Sequence, residues 1–371
     1  MPASLAQSIE FLATCECAAV RLQAARTLGS PRRFGAIKTL RGEAERDMFA
    51  RDVRELFLSP YAQAFRTGRL RGEAGAILGR VLSSNASVAL DSLIARGCTE
   101  PGRAVERVLR GMLQRSHERG FFYEPHQETE AQRAAGRPHE SCFLRVTAGY
   151  ARYLLAFGRG RDPRVRRAFD WIEEYQEADG TWRPSRSSEC RDDTESYLLT
   201  RAVAEAFAEL PVTAVRRWAS TRRRLAAGWT RRILATCSSP DAVLSEPVLA
   251  PDPQGPHRQE TTMVLPDGMK RRLLYFPLED LWLAIRLGAS PRHPHLAPWI
   301  RWLEDAQQPD GSWRLRNPGL RERLLLSDPN GRLRAEALFL TDEWITLRAA
   351  QILRVARRPA RVRAAETAAV V

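Results

Sequence analysis

The sequence predicts an all-α protein built from repeated helical hairpins, and three observations support this prediction. Apolar residues recur at helical spacing, one segment occurs twice, and glycine or proline interrupts the helical stretches. Hydrophobic residues make up 44% of the 371 residues, which is enough for a core and argues against global disorder. A chain of this length can hold one large domain or two ordinary ones.

The repeated segment spans residues 169–182 and 300–313, which align without a gap. Both copies read Trp-x4-Gln-x2-Asp-Gly-x-Trp. The register continues upstream, where Pro163 aligns with Pro294. Proline at the first turn of a helix is favoured by its fixed φ and its missing N–H. Internal similarity of this kind is typical of repeat architectures.

Each copy closes a predicted pair of helices. In the first pair, a helix over residues 142–157 ends at a glycine-rich break, and the second helix starts at Pro163. In the second pair, a helix over residues 272–287 is followed by a helix that starts at Pro294. An Asp-Gly turn ends both pairs. We expect the Trp to be buried between hairpins and the Gln amide to bond the open backbone of the helix end.

The string Gln-x3-Gly-x-Trp after an aromatic and aliphatic helix resembles the QW motif of the squalene and oxidosqualene cyclases. It is also similar to the repeat of the protein prenyltransferase β-subunits. The residues that carry the resemblance are Gln176, Gly180, Trp182, Gln307, Gly311 and Trp313. The resemblance covers a little over half of the chain and implies an α/α toroid. In those families the inner helices line a central cavity that holds an isoprenoid.

Three regions are predicted along the chain. Residues 1–120 form a helical N-terminal region, which is either repeat-like or part of the toroid. Residues 121–358 form the toroid, and residues 359–371 form a flexible tail. The stretches 124–141 and 238–269 are polar and rich in proline, and loops of that length are either functional or disordered.

Acidic pairs on predicted inner helices are the candidates for catalysis. Asp192, Asp193, Asp342 and Glu343 are the predicted catalytic residues, and Glu279-Asp280 is a third pair. Such a pair could protonate an alkene, or bind a metal ion and a diphosphate. The structural alternative is that acidic residues in the first turn cap a helix and complement its dipole. The class II cyclases that share the motif donate a proton from Asp-x-Asp-Asp, which does not occur in this sequence.

A metal site is the second candidate. Protein prenyltransferases hold zinc with Asp, Cys and His, so the resemblance directs attention to Cys190, Cys142 and His139. Thiolate, carboxylate and imidazole suit Zn²⁺ and would leave one position open for a substrate. Mg²⁺ is the alternative ion. A single cysteine at a helix start is otherwise a small core residue.

Aromatic residues on the predicted inner helices are the candidates for substrate binding. They are Tyr150, Tyr197, Trp282 and Trp344. Their ring faces could stabilise a carbocation by cation–π attraction. The alternative is that they belong to the core. Motifs for dinucleotides, P-loops, zincins and serine hydrolases are absent from the sequence.

Charge and targeting features narrow the class of protein. The net charge is +14, yet it comes almost entirely from arginine spread along the chain, which does not favour specific nucleic-acid binding. No apolar run reaches the length of a membrane span, and the N-terminus does not fit a secretory signal. The six cysteines show no CxxC spacing and no disulfide pattern. We therefore predict a cytoplasmic protein without a transmembrane segment, for which peripheral membrane contact stays open.

The leading functional hypothesis is a terpene cyclase-like or prenyltransferase-like protein that acts on an isoprenoid in the toroid cavity. The first alternative is a non-catalytic toroid that binds a hydrophobic or peptide ligand. The second is an α/α-toroid enzyme that acts on glycans. A cavity lined with aromatic and aliphatic residues would favour isoprenoids, whereas two carboxylates about 5 to 10 Å apart in a polar cleft would favour glycans.

Overall fold

The computed structural model describes most of the helical hairpins. The described residues are 5–28, 31–49, 90–91, 93–94, 97–100, 103–124, 140–183, 193–210, 216–236, 239–245, 248–251, 262–264, 270–316 and 341–357. The statements below refer to these residues.

Helices dominate the described chain, as predicted. Before the second copy of the repeat they are α1 (Leu5–Thr14), α2 (Ala18–Thr27), α3 (Pro31–Phe34), α4 (Ile37–Phe49), α5 (Arg103–Gln114), α6 (Glu140–Ala156), α7 (Pro163–Glu174), α8 (Asp193–Ala208) and α9 (Ala219–Thr236). After them come a 3₁₀ helix (Pro240–Leu244), α10 (Pro277–Arg286), α11 (Ala297–Asp305) and α12 (Asp342–Arg357).

A small antiparallel sheet interrupts the helices. Its strands are β1 (Val248–Pro251), β2 (Thr262–Val264) and β3 (Lys270–Tyr275), in the order β1-β3-β2. The helix predicted over residues 272–287 is therefore wrong in its first part, since β3 precedes α10. Proline at position 277 accounts for this break, because it restricts the preceding Phe276 to an extended backbone with φ −129° and ψ 102°.

The chain divides into two compact units. The terminal unit comprises residues 1–47 and 230–365, and the central unit comprises residues 48–229 with the last six residues, 366–371. These units do not coincide with the predicted regions, and the predicted domain boundaries stay a prediction.

Helix α6 is the centre of the central unit. It packs against α5, α7 and α8, and its contact with α8 is the most extensive. Buried aromatic residues fill the space between these helices, as in the edge-on contact of Phe169 with Phe207 at 5.0 Å between ring centroids. Helices α6 and α8 each follow a closing turn and pack on each other.

Helix α12 is the centre of the terminal unit. It packs against α10 and α11, which precede it, and also against α1 and α2 from the beginning of the chain. Its apolar face is fully buried, with Ile345, Ile352 and Ala349 at 0% exposure. Residues from both ends of the sequence therefore share one core.

Both tryptophans of the repeat are fully buried, as predicted. Trp182 and Trp313 have no exposed surface, and each indole N–H donates to a carbonyl of the helix before it. The acceptors are the carbonyl oxygens of Ile172, at 2.9 Å, and Leu303, at 2.7 Å. Both acceptors lie in the last turn of their helices, and the Ile172 carbonyl also accepts the N–H of Tyr175 at the helix end.

Candidate functional site

The closing turns of the hairpins are alike in detail. In both predicted copies, the Gln side-chain amide donates to the carbonyl of the turn glycine, at 3.3 Å in Gln176 and 3.2 Å in Gln307. Each Gln amide also reaches another helix, where Gln176 donates to the carbonyl of Thr221 in α9 and Gln307 to the hydroxyl of Ser8 in α1. The Gln was predicted to bond the open backbone of the helix end, whereas it bonds the carbonyl of the turn glycine.

A third turn of the same geometry spans residues 116–122. Its backbone bonds repeat those of the other two turns, with the N–H of His117 donating to the Phe121 carbonyl and the N–H of Gly120 to the His117 carbonyl. The sequence analysis missed this copy because Ser116 replaces the Gln and Phe122 replaces the Trp. Only the Gly-x-aromatic string remained as a signal.

In each turn, a threonine from the helix that follows bonds the backbone of the closing aromatic residue. Its hydroxyl accepts from the N–H of the closing aromatic residue and lies within hydrogen-bond distance of that residue's carbonyl. The pairs are Thr147 with Phe122 at 2.9 Å, Thr200 with Trp182 at 3.0 Å and Thr346 with Trp313 at 3.0 Å. All three hydroxyls are buried, so we call this bond the threonine latch.

In the terminal unit, the predicted aromatic residues surround an arginine. The Arg348 guanidinium lies over the ring of Trp282 at 5.4 Å and over that of Trp344 at 5.1 Å. Its Nε donates to Glu279 at 2.8 Å, and the same carboxylate oxygen accepts the indole N–H of Trp344 at 2.8 Å. The arginine and the carboxylate are only 12% and 15% exposed. The cation that these indoles hold is therefore part of the protein.

This cluster continues to the beginning of the chain. Arg348 Nη1 donates to the Gln351 amide oxygen at 2.6 Å, and the amide nitrogen of Gln351 donates to the Thr27 hydroxyl at 2.8 Å. Thr27 in turn donates to the carbonyl of Gln23 within α2. One chain of polar bonds thus joins α10, α12 and α2.

The other predicted acidic residues of this unit lie at a helix start. Asp342 and Glu343 occupy the first turn of α12, and Asp342 pairs with Arg314 Nε at 3.8 Å. Asp280, beside Glu279 in the first turn of α10, is 2% exposed. Acidic residues in the first turn complement the helix dipole. This arrangement agrees with a structural role for these residues, which was the alternative to catalysis.

The central unit holds a second, half-buried ionic cluster, which the sequence did not predict. Nη1 of Arg152 contacts Asp91 at 2.6 Å and Glu205 at 2.9 Å. Arg201 also pairs with Glu205, at 3.1 Å, and the Tyr153 hydroxyl donates to Asp91 at 3.2 Å. The cluster joins helices α6 and α8. Arginine is so frequent in this sequence that its spacing carries no signal for such pairs.

In this cluster, Asp91 has a pKa that departs clearly from its ordinary value. Burial raises the pKa of its carboxyl to about 6, against the opposing effect of the Arg152 guanidinium. The Asp91 side chain keeps 43% of its surface exposed, and contact with water weakens the effect of burial on its pKa. Burial lowers the pKa of the Arg152 guanidinium, but the carboxylates of Glu205 and Asp91 outweigh this effect and raise it above its ordinary value, so the guanidinium remains charged.

The two predicted tyrosines of the central unit are core residues. Tyr150 and Tyr197 are each 6% exposed. Tyr150 contacts the ring of Phe122 at 5.9 Å, whereas Tyr197 stacks on Trp229 at 5.4 Å and accepts a bond from Arg201 at 3.3 Å. Their rings therefore pack against protein side chains.

The remaining predicted residues fall outside what the structure describes. Asp192, Cys190 and His139 are not among the described residues. Asp193 and Cys142 lie within α8 and α6, but their side chains are not described. Within the described part of the chain, no group of three or more His, Cys, Asp or Glu residues could hold a metal ion. The predicted Zn²⁺ or Mg²⁺ site thus stays a prediction.

Comparison with protein-family models, curated proteins and solved structures finds no match to this chain. Among the described helices, none is both long and apolar enough to cross a membrane.

Proposed function

We propose that this chain is an α/α-toroid protein of the prenyltransferase β-subunit and squalene cyclase type, and that it binds its ligand without converting it. The observation that carries the proposal is the Arg348 guanidinium between Trp282 and Trp344. The two indole rings could stabilise a substrate carbocation, but they already contact the guanidinium of Arg348.

The toroid arrangement is supported by the three equivalent turns. Each connects an outer helix to an inner helix, and each packs its glycine on the backbone of the next outer helix: Gly120 on α7, Gly180 on α9 and Gly311 on α1. Hairpins that repeat one turn and one neighbour contact stack in a regular series. The same series is what the resemblance to the QW-motif families implies.

The absence of catalysis is supported by the bonds of the described candidates. A substrate cation at the two indoles would have to replace a guanidinium that is paired with Glu279 at 2.8 Å. Removing one partner of a buried ion pair costs roughly 3–5 kcal/mol, which a binding site for a carbocation would have to offset. The residues are therefore better suited to holding α10 and α12 together.

Glycan chemistry receives little support from the carboxylate pair of the central unit. Asp91 and Glu205 are close together, because both contact the same nitrogen of Arg152. That guanidinium pairs with both carboxylates and occupies the place between them. A glycosidase needs that space for the scissile bond.

An isoprenoid-converting enzyme is the second candidate. The observation in its favour is that α8, which follows a closing turn and packs on α6, begins at Asp193, where the predicted carboxylates belong. If Asp193 and Asp192 bind Zn²⁺ or Mg²⁺, the ion would supply charge for a diphosphate leaving group.

Metal analysis of the purified protein, combined with mass spectrometry of any co-purified small molecule, distinguishes the two candidates. We expect an organic ligand at substantial occupancy and no stoichiometric metal. Stoichiometric Zn²⁺ that is lost in a Cys190→Ala variant but retained in Cys98→Ala would overturn the binding proposal. Cys98 is a buried cysteine and serves as the matched control.

A further inference from the structure

A basic groove lies in the central unit where two hairpins meet. It has a volume of about 710 Å³ and is formed by the end of α6, the beginning of α7, the end of α8 and the segment that leads into α9. Volumes of several hundred Å³ are usual for small-molecule sites. The groove is separate from the Arg152 cluster described above.

The floor of the groove is apolar. Val165, Phe169, Leu210 and Trp218 line it, and all four side chains are buried in the unit. Trp218 is fixed in place, because its indole N–H donates to Asp170 at 3.0 Å. A ligand in the groove would therefore rest on a rigid apolar base.

The rim of the groove is rich in arginine. Arg217 is already engaged, since it pairs with Asp170 at 2.7 Å and lies over the Trp218 ring. Arg161, Arg166 and Arg216 are exposed, and within the described chain their side chains make no ion pair or hydrogen bond. These three residues are called the rim arginines below. Three guanidinium groups at one groove are thus available to a ligand.

Carboxylates do not balance this charge. Glu209 is the only acidic residue among the described residues that line the groove. With three rim arginines and Arg217 around the same space, the groove has an excess of positive charge. Low-dielectric walls concentrate such a field and attract anions.

We infer that the rim arginines bind the phosphate group of a small organic ligand whose apolar part lies on the groove floor. The planar donors of a guanidinium match the oxygens of a phosphate, with two parallel bonds per group. The limited volume of the groove favours a small molecule over a nucleic acid, whose backbone would need an extended basic surface. This inference rests on the proposed binding function and names the ligand class.

Titration of the purified full-length protein with inorganic pyrophosphate tests the inference. The test variant is Arg161→Gln/Arg166→Gln/Arg216→Gln, which removes the rim arginines. The matched control is Arg107→Gln/Arg119→Gln/Arg223→Gln, which removes the same charge from exposed positions of the central unit outside the groove. We expect the Kd for pyrophosphate to rise at least about tenfold in the test variant and less than about twofold in the control.

An equal loss of affinity in both variants would overturn the inference, because it would show a general effect of the net charge. No calorimetric or thermal-shift response of the wild type to pyrophosphate would overturn it as well. So would tight binding of an oligonucleotide that both variants weaken equally. Circular dichroism of the variants confirms that each is folded before the affinities are compared.

Two further binding experiments distinguish a lipid headgroup from a soluble phosphorylated compound as the source of the phosphate. Vesicles of phosphatidylcholine with phosphatidic acid that bind only through the rim arginines indicate a lipid headgroup. Binding of pyrophosphate without binding of such vesicles indicates a soluble phosphorylated compound. Conversion of an added isoprenoid would instead contradict the proposed function, which is binding without conversion. That result would leave the affinity for pyrophosphate unchanged, so the two failures are distinguishable.

Discussion

One threonine hydroxyl holds each hairpin turn to the next helix. At Thr200 the hydroxyl contacts both the N–H and the carbonyl of Trp182, at 3.0 and 3.1 Å, in a place that water does not reach. A buried backbone group without a partner costs free energy comparable to a lost hydrogen bond. The latch therefore gives the Trp182 N–H a buried partner, while the Trp182 carbonyl also accepts from the Ser196 hydroxyl at 3.1 Å.

Replacing Thr200 with Val should lower the free energy of unfolding by about 1–3 kcal/mol. Valine keeps the shape of the side chain, but it leaves the Trp182 N–H buried without its partner. Thr200→Ser keeps the hydroxyl and is the control, for which we expect a loss of no more than about 1 kcal/mol. Chemical denaturation measures both, and equal stabilities for Val and Ser would contradict the latch.

The turn glycines are required for two reasons, a positive φ and a close approach. Gly180 has φ 84°, and a Cβ there would overlap the backbone of Arg224 in α9. Gly158 also has a positive φ, of 80°, but has open space around it. Gly158→Ala should therefore cost about 1–2 kcal/mol from φ alone, and Gly180→Ala clearly more. Chemical denaturation measures the free energy of unfolding of both variants. Equal losses would contradict the close contact of Gly180 with the backbone of α9.

Asp310 makes the stability of the second predicted turn dependent on pH. The hydroxyl and the N–H of Ser312 donate to its carboxylate and hold its pKa below the ordinary value. Since the folded-state pKa is lowered, the carboxylate stabilises the fold above the unfolded-state pKa, and this contribution is lost as the pH falls through the folded-state pKa.

Asp310→Ala should accordingly melt at a lower temperature than the wild type at pH 6, and the difference should shrink below about pH 4. Asp305→Ala, which changes an exposed carboxylate nearby, is the control. Thermal unfolding followed by circular dichroism between pH 3 and pH 7 measures both differences. A difference for Asp310→Ala that stays constant down to pH 3 would contradict the assigned bonds.

At the scale of the elements, mostly buried arginines join neighbouring helices. Arg152 connects α6 with α8 and with Asp91, and Arg348 connects α12 with α10 and, through Gln351, with α2. A buried pair of this kind is weak support for overall stability, but it is costly to break on one side only.

A double-mutant cycle at Arg348 and Glu279 measures this connection. Arg348→Met should lower the free energy of unfolding by about 3 kcal/mol, because it leaves Glu279 charged and mostly buried. Adding Glu279→Gln should restore part of that loss, which gives a coupling energy above about 1 kcal/mol. The exposed pair Arg357 and Glu304 is the control and should show a coupling below about 1 kcal/mol. Equal coupling in the two pairs would refute the structural role of Arg348.

The sequence predicted the hairpins better than it predicted their contacts. Gly, Gln and Trp have distinct chemistry, so two turns were visible, whereas the turn at residues 116–122 keeps only its glycine and an aromatic residue. The strand β3 was missed because its apolar residues also fit a helical period before Pro277. The partners of Arg152 and Arg348 depend on tertiary packing, which residue spacing in an arginine-rich chain does not reveal.

At the scale of the whole molecule, the two ends of the sequence contribute to one core. Helix α1 lies against the Gly311 turn as α7 and α9 lie against the turns at Gly120 and Gly180. The N-terminal helices α1 and α2 thus pack in one unit with α12.

Incubation with isoprenoid substrates decides whether this protein converts its ligand. The purified full-length chain is incubated with squalene and, separately, with a prenyl diphosphate in the presence of Mg²⁺ and Zn²⁺, and the extracts are compared by mass spectrometry. We expect both compounds to be recovered unchanged. A cyclised or transferred product that disappears in the folded Asp192→Asn/Asp193→Asn variant would contradict the binding function and establish an enzyme.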